Sequence, residues 1–192
     1  EDKLVDTNTL IGTGTYKIPG KLITDSHGSI GVVSVKKAFE QSSNAAIAKL
    51  VNTNYHNRQS KFTDHLYRWN LNEKLGLQIP GEAQPVIKNP ENRSWNKNMT
   101  LPQMAYGYEM QLTPLKMLSF YNAIANNGEM VKPQFVSEIK EWNKTIKKYE
   151  KQVINPRICS VETIKKLKAV LQNVVKKGTG SKLYSKDFSM AG

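Results

Sequence analysis

The sequence is short of cysteine, arginine, clustered histidine and long apolar runs, and each shortage closes off a class of protein. The single cysteine, Cys159, cannot form an internal disulfide or supply a cysteine-based metal set. It reads as a packed or loop thiol, not as a nucleophile. No apolar stretch approaches the roughly 18 residues needed to span a bilayer. The only arginines are Arg58, Arg68, Arg93 and Arg157. A nucleic-acid module would group arginine and aromatic side chains on one face, so that class is disfavoured despite the basic charge. His27, His56 and His65 are scattered without metal-ligand spacing, and neither a metal nor a cofactor is expected.

What is present suits a globular domain. The 192 residues are 39% hydrophobic and 23% charged, enough for one real core. The formal net charge of +12 comes from 28 Lys+Arg against 16 Asp+Glu. Much of the excess lies late, in Lys140, Lys144, Lys147, Lys148 and Lys151, then Lys165, Lys166, Lys168, Lys176 and Lys177. These lysines alternate with apolar residues, as a solvated face does. The first residues, Glu1-Asp2-Lys3, have no signal-peptide character, and Ser189-Met190-Ala191-Gly192 carries no tail signal. The expectation is therefore an internal stretch of a longer protein.

Pro19-Gly20 within residues 14–25 predicts a small hairpin. Ser34 is suited to cap a short helix bearing Val35, Ala38 and Phe39. A second helix should carry Ile47, Leu50 and Val51 as its apolar stripe, and a third, over 58–69, should carry Phe62, Leu66 and Trp69. Residues 70–100 read as surface loop. Thr113 and Pro114 open the best-signposted helix, expected to face the core with Met117, Phe120, Tyr121 and Ile124 and to stop at Gly128. Residues 134–154 predict a hairpin turning near Asn143. Ser160 opens a long amphipathic helix with Ile164, Leu167, Val170, Leu171 and Val174, ending at Gly178.

The first two helices meet at Glu40-Gln41-Ser42-Ser43-Asn44-Ala45-Ala46. Serine and asparagine compete with the backbone inside a helix and are useful at its start. On these residues alone, capping of the second helix by Ser42 or Ser43 is the simplest reading. Asp25-Ser26-His27 does not form a catalytic triad, because adjacent residues cannot converge in that geometry.

The order of motifs along the chain adds to this. Ser42-Ser43-Asn44 before a small apolar helix resembles the second motif of penicillin-binding transpeptidases. Gly107-Tyr108-Glu109-Met110-Gln111-Leu112-Thr113-Pro114-Leu115 resembles that family's entry to a later helix. Ala123-Ile124-Ala125-Asn126-Asn127-Gly128, then Lys132-Pro133, resembles its close. Val174-Val175-Lys176-Lys177-Gly178-Thr179-Gly180 resembles the helix end before the third motif. The nearest type is the class B group, which serves division or elongation. Glu109 stands where many members have glycine.

The resemblance implies an α+β penicillin-binding/β-lactamase-like fold, of which residues 1–192 would be the central part of one transpeptidase domain, largely a helical lobe with small hairpins. It implies a D,D-transpeptidase that cross-links peptidoglycan through a serine acyl-enzyme. The Ser-x-x-Lys nucleophile motif and the Lys-(Ser/Thr)-Gly motif would lie outside this stretch, leaving it inactive alone. Ser34–Lys37, Ser94–Lys97 and Ser137–Lys140 match Ser-x-x-Lys by chance, being in the wrong place or order. Ser42 would relay a proton, Asn44 would bind the catalytic lysine and a donor-peptide amide, and Tyr106 and Tyr108 would form an aromatic wall. The implied partners are D-Ala-D-Ala stem peptides, β-lactams and a cell-wall synthesis complex, on the periplasmic side of the cytoplasmic membrane. The membrane would be reached only through a segment outside this chain. A non-catalytic β-lactam sensor of the same fold is the alternative. A serine β-lactamase fits less well, because it lacks the Gly-Tyr to Thr-Pro landmark.

Overall fold

A computed structural model describes residues 5–192, so Glu1-Asp2-Lys3 lie outside the described residues. The chain begins with four short strands, β1 (Leu10–Gly12), β2 (Thr15–Ile18), β3 (Lys21–Thr24) and β4 (Val32–Ser34). Helices α1 (Val35–Glu40), α2 (Asn44–Tyr55) and α3 (Gln59–Arg68) follow. Next come β5 (Val86–Ile87), α4 (Thr100–Met104), β6 (Met110–Gln111), α5 (Pro114–Ala125) and β7 (Met130–Val131). The chain then runs through β8 (Glu138–Glu141), β9 (Lys144–Lys148), β10 (Val153–Asn155) and the longest helix, α6 (Val161–Lys177). The architecture is mixed α+β, with longer helices and short strand pairs among the described residues.

Two compact units result. The first takes the chain up to Thr63, then Lys88–Met110 and Lys165–Gly192. Its β2 and β3 form the expected hairpin, paired Ile18 to Lys21 and Thr15 to Thr24. Pro19 and Gly20 (φ +78°) are the corner residues, the Pro-Gly order a type II turn requires. The hairpin buries Ile18 and Ile23 against Ala48 of α2. Each such isoleucine contributes about 2 kcal/mol of hydrophobic free energy. A second cluster joins Ile11, Val35, Ala38 and Ala46, with Leu50 against it. The expected stripe of α2, Ile47, Leu50 and Val51, is only half-buried. Ala45, Ala46 and Ala48 are the residues fully inside. Small side chains let neighbouring backbone come close, so the tightest face carries the smallest residues. The short α4 falls at the edge of the expected loop, and all five of its residues are buried.

The second unit comprises Asp64–Ile87 and Gln111–Ile164. Thr113 caps α5 through the Lys116 amide, and Pro114 takes the first turn, as expected. The helix is rotated from its anticipated face. Met117 and Tyr121 are exposed, and the buried set is Lys116, Ser119, Ala123 and Ile124. Polar residues can take these places because each is satisfied. The Lys116 amine donates to the Asn70 carbonyl at 3.0 Å, and the Ser119 hydroxyl donates to the Leu115 carbonyl at 2.9 Å. The helix ends through Asn127 and Gly128, both at positive φ, with the Gly128 amide returning to the Ala123 carbonyl. The β8–β9 hairpin turns through Trp142 and Asn143, also both at positive φ, as a type I′ turn requires. Its lysines are solvated.

Candidate active site

Helix α1 ends in the bond pattern of a Schellman motif. The Ser43 amide donates to the Ala38 carbonyl at 3.0 Å, and the Ser42 amide to the Phe39 carbonyl at 2.9 Å. In that motif the residue between the helix end and the closing amide is left-handed and is usually glycine. Here it is Ser42, at φ +52°. Backbone strain at a non-glycine residue, of order 1–3 kcal/mol, clusters at functional positions. Ser42 is exposed, whereas Ser43 beside it is buried.

Ser43 is the N-cap of α2, its hydroxyl accepting from the Ala46 amide at 3.1 Å. The same hydroxyl donates to Asp25 at 2.6 Å, so both of its hydrogen-bonding functions are in use. The two serines are thereby separated by role, with Ser43 the cap and Ser42 free of capping. Asn44 is the first residue of α2 and half-buried, and its side-chain amide has no hydrogen-bond partner among the described residues.

Asp25 was not among the candidates read from sequence. Its carboxylate accepts from the Gly14 amide at 2.7 Å, the Ser43 hydroxyl at 2.6 Å and the Ala45 amide at 2.8 Å. Eighteen residues separate it from Ser43, and no local pattern announces such a contact. His27 is exposed and takes no part, in line with the rejected triad.

A second strand of chain lies along the serine turn. The Thr179 amide donates to the Glu40 carbonyl at 3.2 Å, and the Gln41 side chain donates to the Lys177 carbonyl at 3.1 Å. The hydroxyls of Ser42 and Thr179 are 2.9 Å apart. Gly178 makes this approach possible, because a Cβ there would stand 2.0 Å from the Glu40 carbonyl oxygen. The landmark Lys176-Lys177-Gly178-Thr179 is thus brought directly onto the Ser-Ser-Asn motif.

Tyr106 and Tyr108 meet edge to face, with ring centroids 5.2 Å apart. Tyr106 is half-buried against the Ile18–Ile23–Ala48 cluster, and Tyr108 is 58% exposed. Lys21 sits 5.1 Å over the Tyr108 ring and donates to the Gln103 side chain at 3.1 Å. Tyr106 is therefore a packing residue, and Tyr108 presents a ring to solvent. Glu109 next to it adopts φ +62°, the conformation glycine favours, and pairs with Lys88.

Two of the Ser-x-x-Lys matches serve local structure. Ser34 caps α1 through the Lys37 amide, while the Lys37 amine faces Glu40 at 3.9 Å. Lys140 pairs with Glu138 at 2.7 Å on the β8–β9 hairpin. Burial raises the pKa of the Cys159 thiol, which keeps it protonated at neutral pH.

The whole chain, residues 1–192, matches the penicillin-binding protein transpeptidase domain. The chain belongs to this family, and to its class B type. The probable peptidoglycan D,D-transpeptidase FtsI of Caulobacter vibrioides is 27% identical over 115 residues, covering 60% of this chain and 18% of that protein. The chain thus spans under a fifth of that relative's length. The crystal structure of the D,D-transpeptidase domain of a peptidoglycan glycosyltransferase from Eggerthella lenta superimposes with a TM-score of 0.83 at 20% identity, over 98% of this chain and 48% of that one. Penicillin-binding protein 3 from Mycobacterium tuberculosis, complexed with ampicillin, does so with a TM-score of 0.72 at 22% identity, over 91% and 37%. Their fold is the fold of this chain.

Proposed function

We propose that the chain is the central segment of a serine-type peptidoglycan D,D-transpeptidase, which cross-links stem peptides ending in D-Ala-D-Ala. The observation that carries this reading is the division of labour in Ser42-Ser43-Asn44. Ser43 is consumed as a cap, while Ser42 is held left-handed and exposed and the Asn44 amide is unengaged. Acyl transfer to serine needs a nucleophile, a proton path to the leaving amine and donors for the oxyanion. The nucleophile and its lysine come from a Ser-x-x-Lys segment outside this chain, and Lys-(Ser/Thr)-Gly from another.

In this scheme Ser42 passes a proton towards the departing D-alanine, because a hydroxyl donates and accepts at once. Asn44 hydrogen-bonds the catalytic lysine and a donor-peptide amide without adding charge. Tyr106 and Tyr108 wall the donor site, with the exposed Tyr108 ring as the contact face. β-Lactams mimic the acyl donor, and the ampicillin complex of the mycobacterial relative supports them as ligands. The protein would act at the outer face of the cytoplasmic membrane within a wall-synthesis complex. No helix among the described residues is long and apolar enough to cross a membrane.

Intact mass after penicillin treatment tests the reading. A protein carrying this chain with both flanking segments should gain one penicillin on the upstream serine, and residues 1–192 alone should gain none. An unmodified longer protein sinks the reading.

A further inference from the structure

One carboxylate holds both sides of the Ser-x-Asn turn. Asp25 bonds Ser43, which lies between Ser42 and Asn44, and Ala45, which follows Asn44. We propose that Asp25 is a positioning residue for Ser42 and Asn44, an inference that rests on the transpeptidase reading above.

The carboxylate is itself fixed. The Gly14 amide donates to Oδ2 at 2.7 Å, and the Asp25 amide returns to the Gly14 carbonyl at 2.9 Å. This reciprocal pair closes the base of the β2–β3 hairpin, whose Ile18 and Ile23 are packed against α2. Gly14 has no freedom to become larger, since φ is +91° and a Cβ would meet the Ser29 Cβ at 2.5 Å. The hairpin therefore presents Asp25 to the start of α2 from a set direction. The negative charge also sits at the N-terminus of a 12-residue helix, where the dipole favours it.

The consequence for the motif is geometric. The Ser43 hydroxyl must point its hydrogen at Asp25, which turns its lone pair to the Ala46 amide. Ser42 is then bounded on one side by the Schellman bonds of α1 and on the other by this clamp. A strained left-handed residue persists only where its surroundings over-determine it. Without the carboxylate, Ser42 is free to relax from φ +52° and Asn44 to rotate with the first turn of α2.

The test uses a protein carrying this chain with both flanking segments and a fluorescent penicillin. The noncovalent Kd and the acylation rate constant are measured separately for wild type, Asp25→Asn, Asp25→Ala and Ser43→Ala, with thermal melts on each. Asp25→Asn should lower the rate constant about 10- to 100-fold, the scale of a misplaced catalytic group, with Kd changed less than about threefold. A folded Asp25→Asn protein that acylates at the wild-type rate shows a purely structural cap and overturns the proposal. If neither Asp25 variant folds, Ser43→Ala decides. It keeps two of the three bonds, so a several-fold drop in rate supports the clamp and an unchanged rate overturns it. Absence of acylation in the wild type overturns the transpeptidase reading, and it is seen before any variant is made.

Discussion

The hydroxyls of Ser42 and Thr179, 137 residues apart in sequence, lie 2.9 Å from each other. Two sequence landmarks thereby become one site, and the Ser42 oxygen acquires a partner that can donate to it or accept from it. In a protein carrying both flanking motifs, Ser42→Ala should slow acylation by a fluorescent penicillin about 100-fold, the lower range for loss of a proton-transfer group. Thr179→Val should slow it far less, because the Ser42 backbone stays held by the end of α1. Equal losses in the two variants would make the hydroxyl pair, and not Ser42 alone, the working unit.

Gly178 is needed for space and not for its backbone angle. A Cβ there would meet the Glu40 carbonyl oxygen at 2.0 Å and its carbon at 2.9 Å, both rigid backbone. Gly178→Ala should cost about 1–3 kcal/mol, as overpacking does. For a domain of this size that is a fall in Tm of roughly 3–10 °C by calorimetry. An unchanged Tm would mean that the Thr179 segment does not lie on α1.

Glu109 tests strain against charge. Its φ of +62° costs about 1–2 kcal/mol for a residue with a Cβ, while its half-exposed pair with Lys88 contributes about 0–1 kcal/mol. Glu109→Ala keeps the strain and loses the pair, so it should lower stability. Glu109→Gly removes the strain and should leave the urea midpoint at or above wild type. The two variants should differ by about 1 kcal/mol, allowing for the extra unfolded-state freedom of glycine.

Glu82 and Lys116 both make the second unit more stable as pH rises, Glu82 on the acid limb and Lys116 on the alkaline one. Burial pushes the Glu82 carboxyl up, but the amides of Leu75, Leu77 and Gly76 and the charge of Lys116 outweigh it and hold its pKa below the usual value. The ionised form is thus favoured by folding. Its contribution is complete above the ordinary carboxylate range and is lost as pH falls through the depressed folded pKa. Glu82→Gln should flatten that acid loss in urea titrations between about pH 6 and 3. Burial lowers the Lys116 pKa, against the pull of Glu82 and Glu73. The charged amine is therefore a penalty at neutral pH, relieved as pH rises from the depressed folded value towards the ordinary lysine range. Wild type should gain stability on that alkaline limb, and Lys116→Met should not show the gain.

The elements with a local cause were legible. Pro19-Gly20, Ser34, Thr113-Pro114 and Asn127-Gly128 each act through bonds within a few residues, and each turn or helix end lies where it was expected. A serine cap for α2, by Ser42 or Ser43, follows from the same rule, and the structure shows it to be Ser43. The inward face of α5 did not follow, because Lys116 could be buried only by reaching the carbonyl of Asn70, 46 residues away. The burial of α4, which begins at the edge of a stretch whose asparagines and prolines read as loop, was likewise hidden.

The sequence by itself determined the helices other than α4, the tight turns and the order of motifs that marks the family, since propensity, capping and turn chemistry act over a few residues. Only the tertiary structure decided which serine of the pair is free, what holds it and what faces it. Asp25 is 18 residues from Ser43, and Thr179 is 137 from Ser42. Contacts across such spans arise from packing of the hairpin and helices, which leaves no periodic trace in the chain.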